Sequence, residues 1–323
     1  MDEVVLQEPG RFVLRDGPEP EAGAGEAIVR IRRIGVCGSD LHAFAGRMPF
    51  VKCPRILGHE LGAEVVEAPP NDRDVEVGSR CAVEPYLYCG ACPPCLMGRT
   101  NCCTTLKVLG IHTDGGMRPH IAVPMHCLFP SRRLELDQLA LVETLGIGAQ
   151  AVARSGLARG ESALVVGIGP IGLATYQFAA ATGASVRVLE LSPQRRAFVT
   201  DALGADVVES DDGVYDAVLD ATGNRRAMEA SFERVAHGGR LVFVGLIDDE
   251  VTFRDPLFHQ REMTIYASRN SAGLFPRIIE MIESGQIDTR PWITHRMTLR
   301  GVTTDFADVT TREGLVKAMI EVA

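Results

Sequence analysis

The sequence predicts an α/β protein made of two unlike units: an irregular, mostly antiparallel β unit, then a doubly wound parallel sheet. Three observations carry this. All nine cysteines lie at or before Cys127. Short β-like runs punctuated by Gly and Pro fill the stretch from Val4 to about Cys127. After Glu143, short apolar runs alternate with helical ones, as buried parallel strands alternate with crossover helices.

In the first stretch, Ala27–Arg32 alternates with period two, and Glu64–Glu67 and Ser79–Val83 are further strand candidates. In the second, Ala163–Val166 and Val186–Leu189 read as buried strands, with the Ala-rich segment Pro170–Thr182 as a helix between them. A second helix runs to Leu203, with Ser192 as N-cap, Pro193 at its first position and Gly204 after its end. Tyr215–Asp220 is a strand, Asn224–Ala236 a helix, and Arg240–Gly245 a strand. Too few residues separate Val208 from Tyr215 for a crossover helix. Phe275, Ile278, Ile279 and Ile282 form a helical stripe, followed by Thr-rich strand-like segments and a final short helix near Glu313–Ile320.

Composition excludes several function classes. The 323 residues carry 33 Lys and Arg against 42 Asp and Glu, a net charge of −9, the wrong sign for a nucleic-acid surface. The most apolar stretch, Leu139–Ala153, contains Glu143 and Gln150, so no transmembrane helix is expected. The start, Met1-Asp2-Glu3, has no apolar signal core, so a cytoplasmic protein is expected. An odd, crowded cysteine set then points to metal binding rather than disulfides.

Three constellations carry chemistry. Gly167-Ile168-Gly169-Pro170-Ile171-Gly172 matches G-x-G-x-x-G between an apolar strand and a helix, the context a dinucleotide site requires. Its glycines allow the tight turn, the backbone approach to pyrophosphate and close helix–strand packing, and the helix N-terminus offers free N–H groups. Glu190, ending the next strand, suits the ribose hydroxyls of NAD and would repel a 2′-phosphate. Arg195 and Arg196 are the groups that would favour NADP instead. Cys89, Cys92, Cys95 and Cys103 form an all-thiolate set on one short lobe, the composition of a structural zinc site. Cys102 is surplus, and Cys53, Cys81 and Cys127 read as small buried hydrophobes. Finally, Gly35-Val36-Cys37-Gly38-Ser39-Asp40-Leu41-His42, Gly58-His59-Glu60 and Glu143 supply a thiolate, an imidazole and carboxylates. Three protein ligands and an open position make a catalytic zinc.

In this order, the motifs resemble the zinc-dependent medium-chain dehydrogenases/reductases over essentially the whole chain. The resemblance is closest to the polyol branch, with sorbitol and threonine dehydrogenases. Gly98–Cys103, Gly110–Gly116 and Ser268-Arg269-Asn270 are similar to bacterial sugar-acid dehydrogenases of the L-galactonate oxidoreductase type. The resemblance implies a GroES-like irregular β-barrel catalytic domain over 1–146. It implies a Rossmann NAD-binding domain over 147–269 and a segment, 270–323, that returns to the first. It implies two zinc ions, Cys37 and His59 as ligands of the reactive one, and Glu143 as third ligand or holder of its water. Glu60 is then either a ligand or a close neighbour. Asp40 would hydrogen-bond His59, Ser39 would touch the substrate hydroxyl, and His42 would pass the proton to solvent. Arg269 matches an arginine that contacts an acidic group near zinc or the cofactor.

The chain departs from the family in having Glu143-Thr144 for Glu-Pro, and Ala43 where sorbitol dehydrogenases often carry Tyr. The implied activity is oxidation of a secondary alcohol of a polyol or sugar acid. Alternatives are a dehydrogenase of simple alcohols or threonine, a zinc-free reductase, and a non-catalytic NAD-binding regulator. Arg47, Lys52, Arg55 and Arg118 are candidate cations for an acidic substrate. A homodimer or homotetramer is expected, with Val251-Thr252-Phe253 as a strand that could pair with its copy.

Overall fold

The computed structural model describes residues 1–323. They divide into two units, Met1–Glu143 with Phe275–Ala323, and Thr144–Leu274.

The first unit is built on a seven-stranded sheet. Its central strand, Glu26–Gly35, pairs antiparallel with Glu60–Glu67, with His120–Pro124 and with Lys317–Glu321. Arg80–Val83 and Leu128–Pro130 extend one side, and Ile293–Thr298 the other. Alternate residues of the central strand, Val29 and Ile31, are fully buried beside Leu61 and Ile121. Phe12, Phe44 and Phe306 close one end, with ring centroids 5.0–5.4 Å apart.

The C-terminal segment differs from expectation. The final helix expected near Glu313–Ile320 is instead the strand Lys317–Glu321, and the Thr-rich region holds the helix Val302–Val309. Val302, Phe306 and Val309 recur at helical spacing and are buried, which outweighs the strand preference of the threonines. Lys317–Ile320 is buried throughout between two strands, so it shows no alternation.

The second unit is a six-stranded parallel sheet in the order Asp206–Val208, Ser185–Leu189, Ser162–Val166, Tyr215–Asp220, Val235–Phe243, Thr264–Ala267. Helices Pro170–Ala181 and Pro193–Leu203 stand where expected, and Ser192 Oγ accepts the Arg195 N–H. No helix joins Val208 to Tyr215. Two readings need correction. The helix after Asn224 ends at Ser231, and the next strand begins at Val235, because a bulge around Gly238 lets residues before Arg240 join the ladder. Val251–Phe253 is a loop, not a strand: Phe253 stacks on Phe232 at 4.9 Å, and Thr252 bonds Glu229. The edge strand on that side of the sheet is Thr264–Ala267.

Candidate active site and metal centres

The four-cysteine lobe is a loop closed by a two-stranded ladder, Tyr86–Leu87 against Lys107–Val108. Pro93 opens the short helix Pro93–Leu96, which turns Cys95 back toward Cys92. The sulfurs of Cys89, Cys92, Cys95 and Cys103 all lie within 4.8 Å of one another. Thr104 and Cys95 N–H groups pull Cys92 down to about 6, while burial and the neighbouring Cys92 sulfur push Cys95 up to about 12. Crowded sulfurs that share protons in this way are a ready thiolate cage for a dication. Cys102 stays outside the set. Cys81 and Cys127 are fully buried as expected, but Cys53 is exposed, on the loop that precedes His59.

Cys37, His59 and Glu60 converge through sheet register. Gly35 ends the central strand and pairs with Glu60, the first residue of the next strand, so both chain ends leave the sheet at one place. A Cβ on Gly35 would sit 2.0 Å from Glu60 Oε2, so glycine is required there. Ligand-type atoms of Cys37, His59 and Glu60 lie within 4.8 Å of one another. Asp40, in the helix Gly38–Phe44, accepts the Cys37 N–H at 2.9 Å and so fixes the turn that carries the thiol. Its expected hydrogen bond to His59 is not made: Asp40 Oδ1 and His59 Nδ1 are 3.9 Å apart, and both are buried without a partner. Burial opposes the His59 cation, yet Cys37, Asp40 and Glu143 outweigh it and hold the imidazole well above its usual range.

Glu143, on the helix Leu136–Ser155, is 5% exposed and accepts the Tyr86 hydroxyl at 2.5 Å. It is not in the tight trio with Cys37, though its charge acts on His59. Glu60 is gripped by Lys317, whose ammonium lies 2.6 Å and 2.5 Å from its two oxygens, both residues being buried. Sequence reasoning missed Tyr86 and Lys317. The signal for Lys317 was a charged residue inside the apolar run Leu315–Ile320. A pocket with a thiol, an imidazole, two carboxylates and one ammonium offers mixed S, N and O donors that fit zinc.

Ser39 and His42 stand three apart on the helix Gly38–Phe44 and share a face. Ser39 Oγ is buried and unpartnered, whereas His42 is exposed. Of the candidate substrate cations, Arg55 is paired with Asp114 at 2.9 Å and Arg118 with Glu3 at 3.3 Å, while Arg47 and Lys52 are exposed.

In the second unit, Gly167 has φ +83° and a Cβ on Gly172 would lie 1.9 Å from the Gly167 carbonyl oxygen. Gly169 is the N-cap of the helix Pro170–Ala181, with Ile171 in its first turn. A cavity of about 690 Å³ opens over Gly167, Gly169, Glu190, Arg195 and Thr222. Glu190 accepts the N–H groups of Ile168 and Ser192 at 2.8 Å each, so it also braces the glycine loop. Arg195 lies 4.0 Å from that carboxylate. Arg269 follows the edge strand and does not line this cavity.

The geometry has close counterparts in known proteins. Residues 23–133 match the alcohol dehydrogenase GroES-like domain, and residues 170–284 the zinc-binding dehydrogenase domain. The L-galactonate-5-dehydrogenase of Escherichia coli K12 is 37% identical, over 99% of this chain and 98% of that protein. The chain belongs to the zinc-type medium-chain dehydrogenase/reductase family. The sorbitol dehydrogenase of Bacillus subtilis is 30% identical, over 93% of this chain and 90% of that protein. A zinc-binding dehydrogenase of Sinorhizobium meliloti, solved with NADP, superposes with a TM-score of 0.90 at 28% identity, covering 99% of this chain and 98% of that one. As a member of this family the chain is an oxidoreductase of alcohols or polyols that uses zinc and a nicotinamide cofactor on a small-molecule substrate. None of its helices is long and apolar enough to cross a membrane.

Proposed function

We propose that this dehydrogenase reversibly oxidises a secondary alcohol of a sugar acid similar to L-galactonate, or of a polyol, to the ketone. The convergence of the Cys37 thiol, the His59 imidazole and buried carboxylates at the end of one sheet carries the reading. Two zinc ions serve the chain, one in the four-cysteine lobe and one held by Cys37 and His59. Glu60 or Glu143 completes the set for the second ion: Glu60 lies with Cys37 and His59 but is paired with Lys317, and Glu143 serves as third ligand or holder of the ion's water. Zinc, when bound, supplies Lewis acidity of the kind that brings the pKa of a bound water down to about 7. Ser39 Oγ, buried and unpartnered, receives the substrate hydroxyl proton, and the exposed His42 hands it to solvent. Asp40 keeps the start of that helix, and so Cys37 and Ser39, in place.

NAD is the preferred cofactor, because the Glu190 carboxylate on the glycine-loop cavity would repel a 2′-phosphate; Arg195 leaves NADP as a weaker alternative. Arg47 and Lys52, exposed and lying in sequence between Cys37 and His59, are the cations left to meet a substrate carboxylate. The catalytic domain is 1–146 with 270–323, and the Rossmann domain is 147–269. The protein works in the reducing cytoplasm, where its thiols persist. It assembles as a homodimer or homotetramer, with Thr264–Ala267 as the strand edge offered to a copy. An NADH-production screen of aldonates, polyols and simple alcohols, with zinc present, tests the activity. Aldonates should give the highest kcat/KM, and Arg47→Ala should raise KM for aldonates but not for polyols. Turnover confined to simple alcohols would contradict the reading.

A further inference from the structure

The four-cysteine lobe and the reactive pocket are joined by one side chain. Tyr86 lies in the closing ladder of the lobe, three residues before Cys89. Its ring is packed in a small apolar cluster with Cys95, Cys103 and Leu106, and Cys92 and Val108 flank it. Its hydroxyl leaves that cluster and donates to Glu143 Oε1 at 2.5 Å, with both residues buried. The Leu109 N–H bonds the Pro85 carbonyl across the base of the loop and so holds the ladder that carries Tyr86. The ring therefore takes its position from the thiolate cage, and the carboxylate takes its position from the ring.

We propose that Tyr86 is a positioning residue through which the lobe sets the Glu143 carboxylate beside Cys37 and His59. The lobe metal then does more than fold a loop. By fixing the cage it fixes the phenol, and the phenol occupies one Glu143 oxygen so that only the other is offered to the reactive cation. This rests on the reading of Cys37 and His59 as holders of that cation.

The test is made on the full-length protein with Co²⁺ exchanged into the reactive site, using Cys37→Ser as the blank. It reads the visible Co²⁺ spectrum and the rate of metal loss to a chelator. Tyr86→Phe keeps the ring and removes only the hydroxyl. It should shift the spectrum and speed metal loss by about tenfold, the scale for removal of a group that orients a ligand. Cys92→Ser, shown by metal analysis to lack the lobe metal, should shift the spectrum in the same direction, and the double variant should add nothing further. If Cys92→Ser does not fold, Leu106→Ala loosens the packing under Tyr86 without touching a thiol and takes its place. An unchanged spectrum in Tyr86→Phe overturns the proposal. So does a normal reactive site in a protein with a disrupted lobe, or additive effects in the double variant. Failure of the underlying reading looks different, because the parent protein would then show no Cys37-dependent Co²⁺ absorption.

Discussion

Lys317 and Glu60 are the clearest case of a pair whose cost is understood at the level of single residues. Each is almost wholly buried, so removing one partner strands a charge in a medium that cannot solvate it. Lys317→Met should lose about 3–5 kcal/mol in urea unfolding. The neutral double variant Lys317→Met/Glu60→Gln should recover most of it; a loss below about 1 kcal/mol in the single variant would contradict this. Glu84 gives a pH-dependent counterpart. Burial first, with Glu143 adding to it and Arg73 opposing, raises its pKa from 4.5 to about 7. A carboxyl raised on folding favours the protonated native state, so its contribution is present below about 4.5 and disappears as pH rises through about 7. Between these values Glu84→Gln should flatten the fall in stability by about 2–3 kcal/mol relative to the parent, measured by urea titration at pH 5 and pH 8.

At the scale of elements, legibility followed periodicity and capping. The helix from Pro193 was readable because Ser192, Pro193 and Gly204 mark both its ends, and the strands Ser162–Val166 and Tyr215–Asp220 because they are short apolar runs. The C-terminal strand Lys317–Glu321 was not readable, because burial between two neighbours removes the alternation that reveals a strand, and Lys317 has a partner 257 residues away. A separation of 57 residues hid the bond between Tyr86 and Glu143, which joins a two-residue strand to a helix. Asp40 was recognised as a residue of the site, but its contact was not: its carboxylate caps its own helix at Cys37, a local option that competes with the longer reach to His59. The glycine loop is where an element can be tested alone. Gly172→Ala would press a methyl group to 1.9 Å from the Gly167 carbonyl oxygen, which the turn can relieve only by opening. NADH binding, followed by fluorescence, should weaken by at least about tenfold, the kind of loss expected when a packed contact must give way. Lobe metal content should stay unchanged, and unaltered NADH affinity would contradict the reading.

For the whole molecule, the asymmetry of the sequence is the asymmetry of the structure. Every cysteine falls in the unit that also holds the returning C-terminal strand, and the glycine fingerprint falls in the other. Metal chemistry and dinucleotide binding are thus separate inheritances of one chain, and the match of each unit to its own domain family reflects that. Anomalous scattering at the zinc edge, from a crystal of the purified protein, tests the metal chemistry most directly. Two peaks per chain are expected, one among Cys89, Cys92, Cys95 and Cys103, and one about 2.3 Å from Cys37 Sγ and about 2.0 Å from a His59 ring nitrogen. A fully occupied peak in the lobe with none between Cys37 and His59 would contradict it.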